Sequence, residues 1–76
     1  MIASNSTIGA RLRFLRESRG ISLKAAGAHV GVSATAIHKY ESGVNEPSLE
    51  KLQLLADLYG TTPQRLIKPK AGRAAI

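Results

Sequence analysis

The side chains of this sequence that could do chemistry are mainly hydrogen-bond donors, and they lie in two short stretches. Residues 22–24 read SLK and residues 33–45 read SATAIHKYESGVN. The donors in these stretches are Ser22, Lys24, Ser33, Thr35, His38, Lys39, Ser42 and Asn45. Hydroxyl, ammonium, imidazole and amide groups can donate to anionic oxygens and to other acceptors. Such a set is suited to binding an anion, provided that the fold presents it on one surface.

The same inventory gives little support for catalysis or for a metal site. The sequence has two histidines, five acidic residues and no cysteine. A nucleophile, a base and an orienting acid do not assemble from these residues, and neither histidine has the neighbours that a metal site needs. For His29, near the end of a predicted helix, a favourable contact with the helix dipole is the preferred interpretation. We therefore expect no enzyme activity, no metal and no cofactor.

The absence of cysteine and of long apolar segments bounds the cellular setting. Without cysteine there are no disulfides and no thiolate ligands, which fits a reducing compartment. No apolar run approaches the roughly 20 residues of a membrane span, and the start, MIASNSTIGA, lacks the pattern of a signal peptide. The sequence therefore predicts a cytoplasmic protein that is neither exported nor membrane-bound.

Basic charge is distributed unevenly along the chain. The formal net charge of +6 divides into +5 over residues 1–40, −3 over residues 41–60 and +4 over residues 61–76. This asymmetry is typical of a surface that attracts a polyanion, most often nucleic acid, with the acidic segment facing elsewhere. A basic surface that serves only solubility is the alternative that composition leaves open.

Five short helices and no strand are predicted to position these side chains. In a chain of 76 residues they would form one compact all-α bundle with a small core. Helix starts are indicated by hydroxyl side chains that can accept a backbone N–H, and helix ends by glycine. The predicted caps are Ser6 or Thr7, Ser22, Ser33, Ser48 and Thr62, and the predicted stops are Gly20, Gly31, Gly43 and Gly60.

The predicted fourth helix has the widest apolar stripe. Its apolar positions are Leu49, Leu52, Leu55, Ala56 and Tyr59, widened by Leu54 and Leu58. Tyr59, like Tyr40, is predicted to be a core residue with its hydroxyl at the surface. The predicted organisation is an N-terminal arm at residues 1–7, a helical domain at residues 8–67 and a basic flexible tail at residues 68–76.

Helical spacing divides the predicted third helix into two faces. With Ile37 turned to the core, the outward residues are Thr35, His38, Lys39 and Ser42. Glu41 lies at the edge of the buried seam, and Arg16 has the same position on the first helix. Two opposite charges that are half turned toward one small core are costly unless they meet. We therefore predict a structural ion pair between Arg16 and Glu41.

Residues 8–67 resemble the helix-turn-helix domain of the Cro and phage-repressor (XRE-like) type. The matching elements, in order, are RLRFLRESRGIS, the turn GVS, IHKYESG and PSLEKLQLLADLYG. The resemblance implies a lambda-repressor-like fold in which the second helix lies across the DNA backbone and the third enters the major groove. It implies a bacterial or phage DNA-binding regulator, for which a repressor is the favoured interpretation.

Matched residue by residue, the resemblance places Ala34, Thr35 and Lys39 on base-contacting positions. The methyl groups of Ala34, Thr35 and Ala36 can pack against thymine, and Lys39 can donate to guanine. Leu23 stands where many members have a phosphate-anchoring glutamine, so Ser22 and Lys24 are expected to anchor the backbone instead. So sparse a set of donors predicts specificity from DNA shape and from a homodimer on two half-sites.

Other interpretations stay open at this stage. Members of this family also act as antitoxins or adaptors that bind a protein, and the candidate contact residues here are Phe14, Leu54 and Leu58. The resemblance also extends to DNA-binding heads of longer regulators. For Arg11 and Arg13, phosphate contact and plain solvation are both open, as are phosphate contact and capping for Ser42 and Asn45. Binding to double-stranded DNA predicts a nucleoid-associated location.

Overall fold

Five α-helices make up the part of the chain that the structure, a computed structural model, describes, which is residues 7–67. They are α1 (Ile8–Ser18), α2 (Leu23–Val30), α3 (Ala34–Ser42), α4 (Leu49–Tyr59) and α5 (Pro63–Ile67). No strand occurs within these residues. The predicted all-α bundle of five short helices is confirmed. Residues 1–6 of the predicted arm and the predicted tail lie outside the described range.

Hydroxyl side chains begin the first four helices, as the sequence predicts. In each case the side-chain oxygen accepts the backbone N–H three residues later, at 3.0–3.1 Å. The caps are Thr7, Ser22, Ser33 and Ser48. Thr7, assigned from the sequence to both the arm and a possible cap, therefore starts α1. These bonds satisfy amides that have no partner inside the helix, which fixes where each helix begins.

The turn between α2 and α3 depends on two glycines. Gly31 ends α2 with a φ of 81°, in the left-handed region that glycine adopts without steric cost. Gly27 lies one turn earlier, and a Cβ placed on it would be 2.5 Å from the carbonyl oxygen of Val32. The structure therefore leaves room for no side chain at this crossing.

Nine apolar residues form the core beneath these helices. They are Leu12, Ala26, Val30, Ile37, Leu52, Leu55, Ala56, Tyr59 and Leu66. Leu49, predicted to share the buried stripe of α4, is instead 72% exposed. It has the right helical phase, but it is the first residue of α4, where no other helix covers it. Leu54 and Leu58 are half-buried and pack against the core.

Tyr59 differs from its prediction in one respect. It is a core residue, as expected, but its hydroxyl is fully buried rather than at the surface, and it has no hydrogen-bond partner. Burial raises the pKa of Tyr59 to about 12, and the nearby Glu41 carboxylate adds to the increase. The hydroxyl lies inside because α4 turns the tyrosine toward Arg16 of α1 and Glu41 of α3.

Candidate nucleic-acid interface

The outer face of α3 presents four polar side chains in one row. Ile37 is buried and Tyr40 half-buried on the opposite side. The exposed residues are Thr35, His38, Lys39 and Ser42, as the helical spacing predicts. Their spacing of three and four residues places them on one surface of the helix. This surface has donors along its whole length and no acidic side chain, because Glu41 turns inward.

The leading end of α3 combines a capping serine with small apolar side chains. Ser33 Oγ accepts the N–H of Ala36 at 3.0 Å, so the hydroxyl proton of Ser33 is available to another acceptor. Thr35 is exposed, whereas Ala34 and Ala36 are half-buried. Each alanine therefore has part of its surface against the protein and part open to a ligand. A small apolar group such as the methyl group of thymine fits this surface better than a polar group does.

The start of α2, like that of α3, has a capping serine, and here an exposed lysine lies beside it. Ser22 Oγ accepts the N–H of Ala25 at 3.0 Å, and Lys24 is exposed beside it. Leu23, the departure from the glutamine of the resembling family, is half-buried and packs against the core. Its side chain therefore contributes to packing, and the polar groups at this end are those of Ser22 and Lys24.

The loop after α3 contains the last two predicted contact residues. Ser42 is exposed, and its hydroxyl donates to the carbonyl oxygen of Lys39 at 3.4 Å. Asn45 is exposed, and its backbone N–H donates to the same carbonyl at 3.2 Å. Both residues therefore take part in closing the helix, while their side chains face outward at the trailing end of α3.

A buried ion pair holds α3 against α1. Arg16 Nε donates to Glu41 Oε2 at 2.6 Å and Arg16 Nη2 donates to Glu41 Oε1 at 3.1 Å, so the pair is bidentate. Arg16 Nη1 also donates to the carbonyl oxygen of Ile21 at 2.8 Å. The hydrogen bond to Glu41 raises the pKa of Arg16 in spite of its burial. This is the pair predicted from the sequence, and its Glu41 side chain is only 4% exposed.

Lys51 is a positioning residue that sequence reasoning missed. Its Nζ donates to the carbonyl oxygen of Val30, the last residue of α2, at 3.1 Å. The cation thus lies at the negative end of the α2 dipole and links α4 to the turn before α3. The signal in the sequence was that Lys51 is the only basic residue between residues 41 and 60.

Comparison with known proteins identifies this arrangement of helices. The model of a family described as "Helix-turn-helix domain" matches residues 7–66. The chain belongs to this helix-turn-helix family. The resemblance to the Cro and phage-repressor type is confirmed by solved structures as well as by relatives.

Two relatives of this helix-turn-helix domain are transcriptional regulators by name. The HTH-type transcriptional regulator AnsR of Bacillus subtilis (strain 168) is 40% identical over 57 residues, which cover 75% of this chain and 49% of that protein. The HTH-type transcriptional regulator DdrOP3 of Deinococcus deserti is 41% identical over 58 residues, covering 76% and 45%. The chain therefore spans about half the length of the curated relatives it matches.

Two solved structures of the P22 c2 repressor have the same fold as this helix-turn-helix domain. A crystal structure of that repressor in complex with a synthetic operator superposes with a TM-score of 0.78 at 35% identity, covering 82% of this chain and 94% of that one. The solution structure of its DNA-binding domain gives a TM-score of 0.79 at 34% identity, with 84% of each chain covered.

Two further findings concern residues 7–67 alone. None of their helices is long and apolar enough to cross a membrane. Within the same residues, no group of three or more histidine or acidic side chains is arranged to hold a metal ion.

Proposed function

We propose that this helix-turn-helix domain binds double-stranded DNA sequence-specifically and acts as a transcriptional regulator, a repressor, with α3 in the major groove. The observation that carries the proposal is the uninterrupted polar face of α3, exposed over its length and anchored from behind by Ile37 and by the Arg16–Glu41 pair. A rigid helix with one open face fits the major groove of B-DNA. The regulator relatives and the operator-bound repressor support the same function.

Base recognition is assigned to the leading half of α3 and to Lys39. The half-exposed methyl groups of Ala34 and Ala36, with Thr35 between them, would pack against thymine methyl groups. Lys39, exposed one turn later, would donate to guanine N7 and O6. Three apolar contacts and one cation distinguish only weakly between base sequences, so DNA shape would supply part of the specificity.

Backbone contacts are assigned to groups at both ends of this surface. Ser22 and Ser33 each use the hydroxyl oxygen as a cap acceptor, which leaves the proton to donate to a phosphate. Exposed side chains that would complete the set of phosphate donors are those of Lys24, His38 and Asn45, together with Ser42, whose hydroxyl would exchange its bond to the Lys39 carbonyl for one to the phosphate. Contacts of this kind fix the register of the protein on the duplex and carry no base information.

A homodimer on paired half-sites follows from the weak discrimination of one domain. Two copies that each insert α3 into the major groove on one side of the duplex need half-sites roughly one helical turn, ~34 Å, apart. Selected sites with inverted half-sites at that spacing would support the dimer, and a single unrepeated site would contradict it.

The experiment is binding-site selection from random duplexes, followed by two lysine variants. Lys39→Ala should alter the preferred base at one position, because its contact is with a base edge. Lys24→Ala should weaken all duplexes by about the same factor and lower the slope of log K against log salt by about 1, because its contact is with a phosphate. The absence of any preferred sequence in the selection would refute the proposal.

A second candidate function, binding of a protein partner, is favoured by one observation. Phe14 is 68% exposed and lines an open groove of about 480 Å³ between α1 and the end of α3. The other two residues proposed for this surface, Leu54 and Leu58, are half-buried against the core, so Phe14 is the one to vary. Phe14→Ser should leave DNA affinity unchanged and weaken binding of a protein partner. Equal regulation in cells by the wild-type protein and by Phe14→Ser would argue against this surface.

A further inference from the structure

Lys51 lies at the point where α4 meets the end of α2. The residue is half-buried, and its Nζ donates to the carbonyl oxygen of Val30, the last residue of α2, at 3.1 Å. The last four carbonyl groups of a helix have no hydrogen-bond donor inside that helix. The next residue, Gly31, begins the turn, and a Cβ placed on it would be 4.0 Å from the same Nζ. The ammonium group therefore lies against both the end of α2 and the start of the turn.

The place of this lysine within α4 is electrostatically unfavourable by itself. Lys51 is in the first turn of α4, and its backbone N–H donates to the capping hydroxyl of Ser48 at 3.1 Å. A cation in the first turn faces the positive end of its own helix dipole, where acidic residues are favoured. The negative end of α2 compensates this charge, because the Val30 carbonyl accepts the ammonium N–H. The contact between the two helices therefore accounts for a cation at this position.

The turn that follows joins the Val30 carbonyl closely to α3. The backbone N–H groups of Gly31 and Val32 both donate to the carbonyl oxygen of Gly27, each at 2.8 Å, so the turn is held against α2. The next residue, Ser33, is already the cap of α3. Only two residues therefore separate the atom that Lys51 holds from the start of α3, and a shift of that atom would move the leading end of α3.

We propose that Lys51 is a positioning residue for base recognition, and that its bond to Val30 determines how strongly the domain prefers its own duplex over random DNA. The inference rests on the proposed function and adds to it a residue that acts on recognition without touching the DNA. Under that function, the leading end of α3 contacts base edges while the start of α2 contacts the backbone. Base contacts require a fixed angle between these two helices, because each donor or methyl group must meet a particular atom.

Loss of the bond acts through the preorganisation of the two helices. Without it, the end of α2 and the turn adopt several relative positions, and only a fraction of the molecules has the one that fits the base edges. The apparent affinity for the preferred duplex falls by that fraction. Contacts with phosphates carry no base information and tolerate such shifts, so the affinity for random DNA is retained.

The test measures the affinities for the selected duplex and for a random duplex at several salt concentrations. Lys51→Met keeps the length of the side chain and removes the donor, and it should lower the ratio of the two affinities about tenfold, the effect of one hydrogen bond to a charged group. Its slope of log K against log salt should equal that of the wild-type protein, because no phosphate contact is lost. Lys51→Arg keeps a cationic donor and should keep the ratio. Lys51→Gln, a neutral donor, should give an intermediate ratio, and it replaces Lys51→Met if that variant melts below the assay temperature.

Leu66→Val is the matched control for a general loss of stability. Leu66 is a core residue of α5 and is 1% exposed, so removing one methylene group weakens the core without altering the contact between Lys51 and Val30. All proteins are assayed at a temperature at which circular dichroism shows them to be folded. Under these conditions Leu66→Val should keep the wild-type ratio of affinities.

Failure of this inference is distinguishable from failure of the proposed function. If Lys51→Met keeps the wild-type ratio, the inference is overturned while sequence-specific binding stands. If Lys51→Met weakens both duplexes equally and lowers the salt slope, Lys51 contacts a phosphate and the inference is likewise overturned. It is also overturned if Leu66→Val loses the ratio or if Lys51→Arg fails to keep it, because the ratio then does not depend on the bond to Val30. If selection yields no preferred duplex, it is the proposed function that fails.

Discussion

Replacing Arg16 by methionine removes one partner of a buried ion pair and leaves the other in place. The Arg16 side chain is 11% exposed and that of Glu41 is 4% exposed. Three hydrogen bonds are lost at once, two to the Glu41 carboxylate and one to the carbonyl oxygen of Ile21. Methionine fills much of the volume but offers no donor, so the carboxylate stays buried without a counter-charge.

The expected cost is large in relation to the stability of so small a domain. Breaking a buried pair by removing one partner costs about 3–5 kcal/mol, because the remaining charge is desolvated and uncompensated. A chain of 76 residues has a free energy of unfolding of only about 4–11 kcal/mol at 0.05–0.15 kcal/mol per residue. Arg16→Met should therefore lower Tm by about 12 °C or more.

Urea and thermal unfolding, followed by far-UV circular dichroism, measure this loss. The double variant Arg16→Met/Glu41→Leu should recover most of the stability, because it leaves no buried charge behind. Arg13→Gln is the matched control, because Arg13 and Glu17 form an exposed pair at 3.1 Å with side chains 64% and 54% exposed. An exposed pair of this kind contributes under about 1 kcal/mol, and the control should unfold almost as the wild type does.

Two results would refute this account of the ion pair. If Arg16→Met loses no more stability than Arg13→Gln, the pair is not desolvated in the way that its burial indicates. The second result concerns Glu41→Leu, measured as a single variant. If the double variant loses as much stability as Arg16→Met and Glu41→Leu lose together, the coupling free energy of the two residues is zero.

Two further predictions concern packing and alkaline pH. Gly9→Ala should lower the free energy of unfolding by about 1–3 kcal/mol, because its Cβ would lie 2.5 Å from the carbonyl oxygen of Tyr40 where α1 crosses α3; an unchanged urea midpoint would contradict this. The pKa of Tyr59 is raised to about 12 in the folded protein, whereas it is about 10 in the unfolded chain. The contribution of the neutral tyrosine to stability is therefore complete below about pH 10 and is lost as the pH rises toward 12. The free energy of unfolding of Tyr59→Phe, measured with urea, should therefore fall less steeply with pH over this range than that of the wild-type protein. Equal slopes for the two proteins would exclude the buried hydroxyl as the cause.

Local chemistry made the helices and the polar face predictable from the sequence. Each cap joins a hydroxyl to an amide three residues away, and Gly31 ends α2 through its own left-handed backbone conformation. The exposed row from Thr35 to Ser42 follows from helical periodicity alone. Even the Arg16–Glu41 pair could be predicted, because two charges at the edges of a single small core have few other places to be neutralised.

Only the tertiary structure decided how far each helix is covered and what meets across it. Leu49 has the phase of the buried stripe yet is 72% exposed, because exposure depends on where the neighbouring helices end. The burial of the Tyr59 hydroxyl beside Arg16 and Glu41 and the bond from Lys51 to Val30 each depend on residues from different helices. Periodicity states which side of a helix a residue occupies, whereas the partner on that side is set by the packing of the whole bundle.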